Sequence, residues 1–154
     1  MMAHLSIQFL LALFATAGFC IIFRVPVRDI PVCVVIGALG WVTNEVSMEY
    51  YASPVLGCFL GACVVGMLSD GSSRLFHEAS TIFIIPGILC LVPGSNIFRT
   101  MYALLTDDFH DAVQVGTETL LMAGAIAVGL LTIGAILRVI RDLIQKTVTL
   151  RDKF

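Results

Sequence analysis

Hydrophobic residues in this chain gather into five long runs, each bounded by short stretches of charge, proline or polar side chains. A helix needs about 20 mostly apolar residues to cross the hydrocarbon core of a bilayer, so the runs predict about five transmembrane helices. The first covers 5–23, LSIQFLLALFATAGFCIIF, and closes at Arg24, with Pro26 and Pro31 just beyond. Ala15-Thr16-Ala17 resembles a leader-peptidase motif, but residues 1–4 carry no Lys or Arg and the apolar run continues past Ala17, which predicts a retained helix. The second span covers 30–50 and turns polar at Thr43, Asn44, Glu45 and Ser47. The third, 54–69, is short and holds Gly57 and Gly61 in GxxxG spacing. The fourth, 81–105, reads TIFIIPGILCLVPGSNIFRTMYALL and carries two Pro-Gly pairs, Pro86-Gly87 and Pro93-Gly94. The fifth covers 117–137 and leads into a charged, amphipathic tail at 138–154, whose helical pattern either extends the fifth helix or serves a lipid or partner. The expectation is an all-α integral membrane protein forming a single transmembrane domain over 1–154, its fourth span interrupted by both Pro-Gly pairs.

Basic residues set the orientation, because Lys and Arg accumulate on the cytoplasmic side. With the amino terminus outside, segments 24–29, 70–80 and 138–154 are cytoplasmic and hold eight of the nine basic residues. The outer segments 1–4, 44–53 and 106–116 hold none, and carry Glu45, Glu49, Asp107, Asp108 and Asp111 instead. That predicts a multi-pass protein with its carboxyl terminus in the cytoplasm.

Composition supports the membrane class. Hydrophobic residues are 58% of the 154 and charged residues 13%, against about 25% charged in a soluble domain, and mean hydropathy is +0.98. A net charge of −2 offers a nucleic acid no electrostatic footprint. Cys20, Cys33, Cys58, Cys63 and Cys90 all lie in apolar stretches without metal-ligand spacing, so they read as small hydrophobes at helix contacts. Neither a metal nor a cofactor is expected. His4, His77 and His110 fall in or beside loops. HExxH, GxSxG, P-loop and dinucleotide motifs are all missing, so no enzymatic activity is expected. The pairs Gly37/Gly40, Gly57/Gly61 and Gly124/Gly129 predict close helix contacts.

The chemistry concentrates in the fourth span. Proline removes an amide donor and clashes with the carbonyl one turn back, and glycine loosens the same place. Backbone groups freed at membrane depth persist only where protein buries them or a hydrated cavity meets them. Half-helix amino termini of this kind face anionic substrate groups in transporters. Pro93, Gly94, Ser95 and Asn96 therefore predict the start of a second half-helix, with Ser95 as its N-cap. Arg99 follows Ser95 by four residues on the same face and suits a carboxylate, or else snorkels to the headgroups. Asn44 and Glu45 on the second span are the other candidate lining, Glu45 as a partner for Arg99 or a proton carrier. The acidic DDFHD segment, with Asp107, Asp108, His110 and Asp111, is expected to keep its loop wet.

Two stretches carry a family resemblance: GFCIIFRVPVRDI at 18–30, a helix running into a V-P-V-R loop, and IPGILCLVPGSNIFRTMYALL at 85–105. With five short glycine-rich helices, they resemble the small, YjjB-like membrane subunit of the threonine/serine exporter (ThrE-like) family. The matching positions are Pro26, Val27 and Arg28 in the loop and Pro86, Gly87, Pro93 and Gly94 in the fourth span. The resemblance implies a subunit of a secondary transporter in a bacterial inner (plasma) membrane. Its cargo would be small carboxylate-bearing metabolites, threonine and serine or a dicarboxylate such as succinate. It also implies a larger membrane subunit of the same family as partner, or a homo-oligomer. The competing reading is a non-transporting scaffold or assembly subunit in which the Pro-Gly breaks serve packing alone.

Overall fold

The computed structural model describes the backbone of residues 2–151 and the side chains of residues 5–141 and of Leu143. All regular structure within it is helical: α1 (Met2–Ile22), α2 (Ile30–Tyr51), α3 (Pro54–Phe76), α4 (Ser80–Leu89), α5 (Gly94–Leu105) and α6 (Phe109–Arg151). α1, α2, α3 and α6 are each long and apolar enough to cross a membrane, and α4 with α5 makes a fifth crossing if the pair is one span, bent by 51°.

Helix ends follow local chemistry. Pro31 and Pro54 sit in the first turns of α2 and α3, where a missing amide costs nothing. Ser53 caps α3 by accepting from the Leu56 amide. Left-handed Arg24, Ala52, His77 and Asp107 close the helices before them. The V-P-V-R loop is a tight turn: Pro26 O accepts from the Asp29 amide at 2.8 Å, Val25 is buried, and the Arg28 guanidinium lies 5.8 Å from the Phe76 ring centroid.

α3 runs past the expected stop at 69. Its polar turn stays helical because Arg74 forks back onto Asp70 one turn earlier, at 2.9 and 2.7 Å, and such i,i+4 pairs support a helix at the polar boundary. α6 likewise starts before 117 and continues through the expected tail to Arg151. At 1.5 Å per residue its 43 residues extend about 64 Å, twice the hydrocarbon thickness. Lys153 and residue 154, and the side chains of Lys146 and Arg151, lie outside the described residues, as does that of His4.

None of the thirteen glycines takes a positive φ, so none is required for a left-handed turn, and eight of them lie in close packing. α2 and α3 meet through them. A Cβ on Gly40 would strike Val65, one on Gly61 would lie 2.9 Å from Gly40 O, and one on Gly57 would lie 2.6 Å from Asn44 Oδ1. Gly37 receives Thr16 of α1, and a Cβ on Gly129 of α6 would lie 2.8 Å from Phe59 O. Gly124 departs from the expected pattern, since nothing lies within 4 Å of its Cβ position. α4 lies over α2 and α3, whereas α5 packs on α6 alone among the described helices.

Candidate functional site

The site begins with the break in the fourth span, and only one of the two Pro-Gly pairs makes it. Pro86 is buried inside α4, which continues to Leu89. The carbonyl it leaves without a partner, four residues back at Ile82, accepts from Cys33 Sγ of α2 at 3.6 Å. Gly87 then lets α4 close on α2 and α3, its Cβ position 3.1 Å from Val65 and 3.5 Å from Ile36. The expected interruption at Pro86-Gly87 is thus corrected: a neighbouring thiol and tight packing keep the helix whole.

The chain turns at 90–93. Pro93 has φ −75° and ψ 66°, and the Gly94 amide donates to Val92 O at 2.8 Å, which is an inverse γ-turn. Two side chains pin this turn. Leu91, 2% exposed, fills the notch between Gly40 and Gly61, its methyls 3.3 and 2.5 Å from their Cβ positions. Cys90 Sγ lies 3.0 Å from Thr16 Oγ1 of α1, while Thr16 itself donates to Ala12 O. α5 starts at Gly94 with Pro93 as its N-cap residue and no side-chain cap. Ser95 therefore stands inside the first turn and does not cap it, because the helix begins one residue before it.

Since α5 leans on α6, a hollow of about 370 Å³ opens between its amino terminus and α2 and α3. Asn44, Glu45, Pro93, Gly94, Ser95 and Asn96 all line it. Asn44 is 5% exposed, its Nδ2 donates weakly to Met48 Sδ at 3.8 Å, and its Oδ1 is buried with no hydrogen-bond partner among the described residues. Asn96 Nδ2 donates weakly to Met122 Sδ, at 3.9 Å. A buried amide oxygen left unpaired costs about 1–3 kcal/mol, and this one is turned into the α2–α3 contact beside Gly57. Glu45 is half-buried at the rim.

Arg99 does not join them. Its guanidinium is exposed and forks onto Asp111 of α6, Nε to Oδ2 at 3.1 Å and Nη2 to Oδ1 at 2.8 Å. Asp111, and not Glu45, is its partner, because α5 packs toward α6. The DDFHD segment accordingly builds a corner: Asp107 is left-handed with φ 59°, Asp108 Oδ1 accepts the Asp111 amide, and Asp111 holds Arg99.

Trp41, Met48, Pro54, Cys58, Leu91 and Met122 also line the hollow and were not among the expected residues. Trp41, Asn44, Glu45 and Met48 share one helical face, a spacing that the polar residues alone reveal only in part. Trp41 Nε1 is held by Gln8 Oε1 at 3.1 Å, which orients the indole at the edge of the hollow.

The sequence profile of the family described as "Threonine/Serine exporter, ThrE" matches residues 8–136, from within α1 to within α6, and so takes in the whole hollow. The chain belongs to the threonine/serine exporter family. A Haemophilus influenzae protein, described only as uncharacterized, is 25% identical over 137 residues, covering 84% of this chain and 46% of that protein. This exporter-family chain thus spans about half the length of the relative it matches. No solved structure matches it. The family expected from the V-P-V-R loop and the Pro-Gly motifs is therefore the one found.

Proposed function

We propose that the chain is one half of a secondary transporter that exports small carboxylate-bearing metabolites, with its cargo site in the hollow at the α4–α5 break. The observation that carries this reading is the convergence of Asn44, Glu45 and the first turn of α5 on one hollow within a membrane-spanning fold. Its volume falls within the roughly 300–1,000 Å³ of small-molecule sites. The chemistry suits an amino-acid zwitterion. The carboxylate meets the positive amino-terminal end of α5, and the ammonium meets Glu45. Glu45 repels a second carboxylate, which favours threonine and serine over succinate.

The proposed setting is a bacterial inner membrane with the amino terminus outside, as the basic residues indicate. A larger subunit of the same family, or a second copy, completes the pathway. Two facts support this: α1 and α6 bury little of their apolar surface within the chain, and the relative is twice as long.

Threonine efflux from cells loaded with a threonine-containing dipeptide tests the reading. Asn44→Ala and Glu45→Gln are each expected to lower efflux at least about tenfold while the protein still inserts, and Glu45→Gln raises succinate efflux relative to threonine. Unchanged fluxes together with altered recovery of a membrane partner establish the scaffold reading instead. Single cysteines placed at 107 and 146 in a cysteine-free chain report orientation: the first is expected to label from outside, the second from the cytoplasm alone.

A further inference from the structure

A second hollow, of about 510 Å³, lies at the other end of the bundle, where α3 ends, α4 begins and α6 passes. Its mouth holds Arg74, Arg138 and Arg141 around a single carboxylate, Asp70. Asp70 Oδ2 accepts from Arg74 Nε and Nη2, and Oδ1 accepts from Arg141 Nη2 at 3.2 Å. Arg138 has no ion pair among the described residues. Ser80, the first residue of α4, faces the same space, and α4 has no side-chain cap on its amino terminus. Three guanidinium groups and the positive end of a helix are thus set against one carboxylate, an imbalance that an anion corrects.

Below the charges the wall is apolar. Ile84, Leu130, Ile133 and Leu137 line it. From Leu130 to Arg141 the hollow follows α6 for roughly 16 Å, using a rise of 1.5 Å per residue. A small soluble anion has no use for that wall, whereas a phospholipid has a phosphate for the arginines and an acyl chain for the groove. Basic recesses between membrane helices bind lipid headgroups on this principle.

We propose that this hollow is a binding site for an anionic phospholipid, its phosphate held by Arg138, Arg141 and Arg74 and one acyl chain laid along Ile133 and Leu137. The site is independent of the cargo hollow and requires only that the chain be embedded in a bilayer.

Native mass spectrometry of the full chain released from detergent tests it with three probes: phosphatidylglycerol, phosphatidylcholine and inorganic phosphate. Phosphatidylglycerol is expected to stay bound at one per chain, several-fold more than phosphatidylcholine, and millimolar inorganic phosphate leaves it in place. Arg138→Gln leaves the Asp70 pairs intact and is expected to lower retention roughly fivefold, the weight of one basic group near an anionic lipid. Gly134→Phe fills the groove, since nothing lies within 4 Å of the Gly134 Cβ position, and is expected to lower retention as much. Arg28→Gln, in the first loop, leaves retention unchanged. Helical circular dichroism confirms that each variant is folded. Equal retention of the two lipids, displacement by inorganic phosphate, or indifference to both groove variants overturns the proposal.

Discussion

Pro86-Gly87 and Pro93-Gly94 are the same dipeptide seven residues apart in one apolar stretch, and the fold uses them in opposite ways. At the first pair the helix continues, because Cys33 supplies the donor that proline withholds from Ile82 O, and Gly87 is buried against Val65 and Ile36. At the second the chain turns through an inverse γ-turn, and Gly94 is exposed at the hollow with open space where a Cβ would be. Proline thus creates a need for a donor, and the neighbouring helix decides whether that need is met in place. Where it is met, a packed helix results. Where the chain turns instead, a half-helix begins with its first amides beside a cavity.

The comparison breaks first at the glycines. Gly87→Leu must push three further carbons into a contact already 3.1 Å from Val65 Cγ1, and is expected to cost about 3 kcal/mol, the upper part of the range for overpacking. Its measure is the fall in folded, monodisperse protein and in thermal unfolding temperature. Gly94→Leu meets nothing within 4 Å at its Cβ, so folding is expected to be unchanged. Threonine efflux falls about tenfold because the side chain occupies the proposed cargo site, equivalent to a loss of about 1.4 kcal/mol.

A smaller effect sharpens the role of the thiol. Cys33→Ala is expected to destabilise the chain by about 1 kcal/mol beyond its lost volume when Pro86 is present. That part of the cost disappears in the Pro86→Ala background, where the restored backbone amide at position 86 replaces the thiol donor. A double-mutant cycle read by thermal unfolding gives the coupling directly, and a coupling of zero removes the explanation offered for the unbroken helix. The smallest effect belongs to Arg99. Its pair with Asp111 is exposed, so Arg99→Gln is expected to cost less than about 1 kcal/mol. Efflux stays near that of the parent chain, which distinguishes a strut between α5 and α6 from a cargo ligand.

The polar half of the cargo hollow is legible because polar groups are rare in apolar runs and stand out there. Asn44, Glu45, Ser95 and Asn96 can be picked out one by one, and the fold brings them together. Leu91, Cys58 and Met122 cannot, since an apolar residue that lines a cavity looks the same in sequence as one facing lipid. Arg99 is misplaced for a related reason. Its helical face is readable from its spacing to Ser95, but which helix α5 leans on is not. Asp70–Arg74 reads as a loop if polarity ends a helix, whereas at a membrane boundary an i,i+4 ion pair prolongs it.

By itself the amino-acid sequence determined that the chain is helical throughout its runs and apolar enough for four or five crossings, because the cost of placing each backbone and side-chain group in hydrocarbon is set locally. It also determined which residues were too polar to face lipid. Tertiary structure decided which Pro-Gly pair bends, which carboxylate takes Arg99, and where cavities open at the two ends of the bundle. Each of those outcomes depends on a partner from a distant helix, such as Cys33 reaching Ile82 O or Leu91 seated between Gly40 and Gly61, and only packing brings such partners within reach.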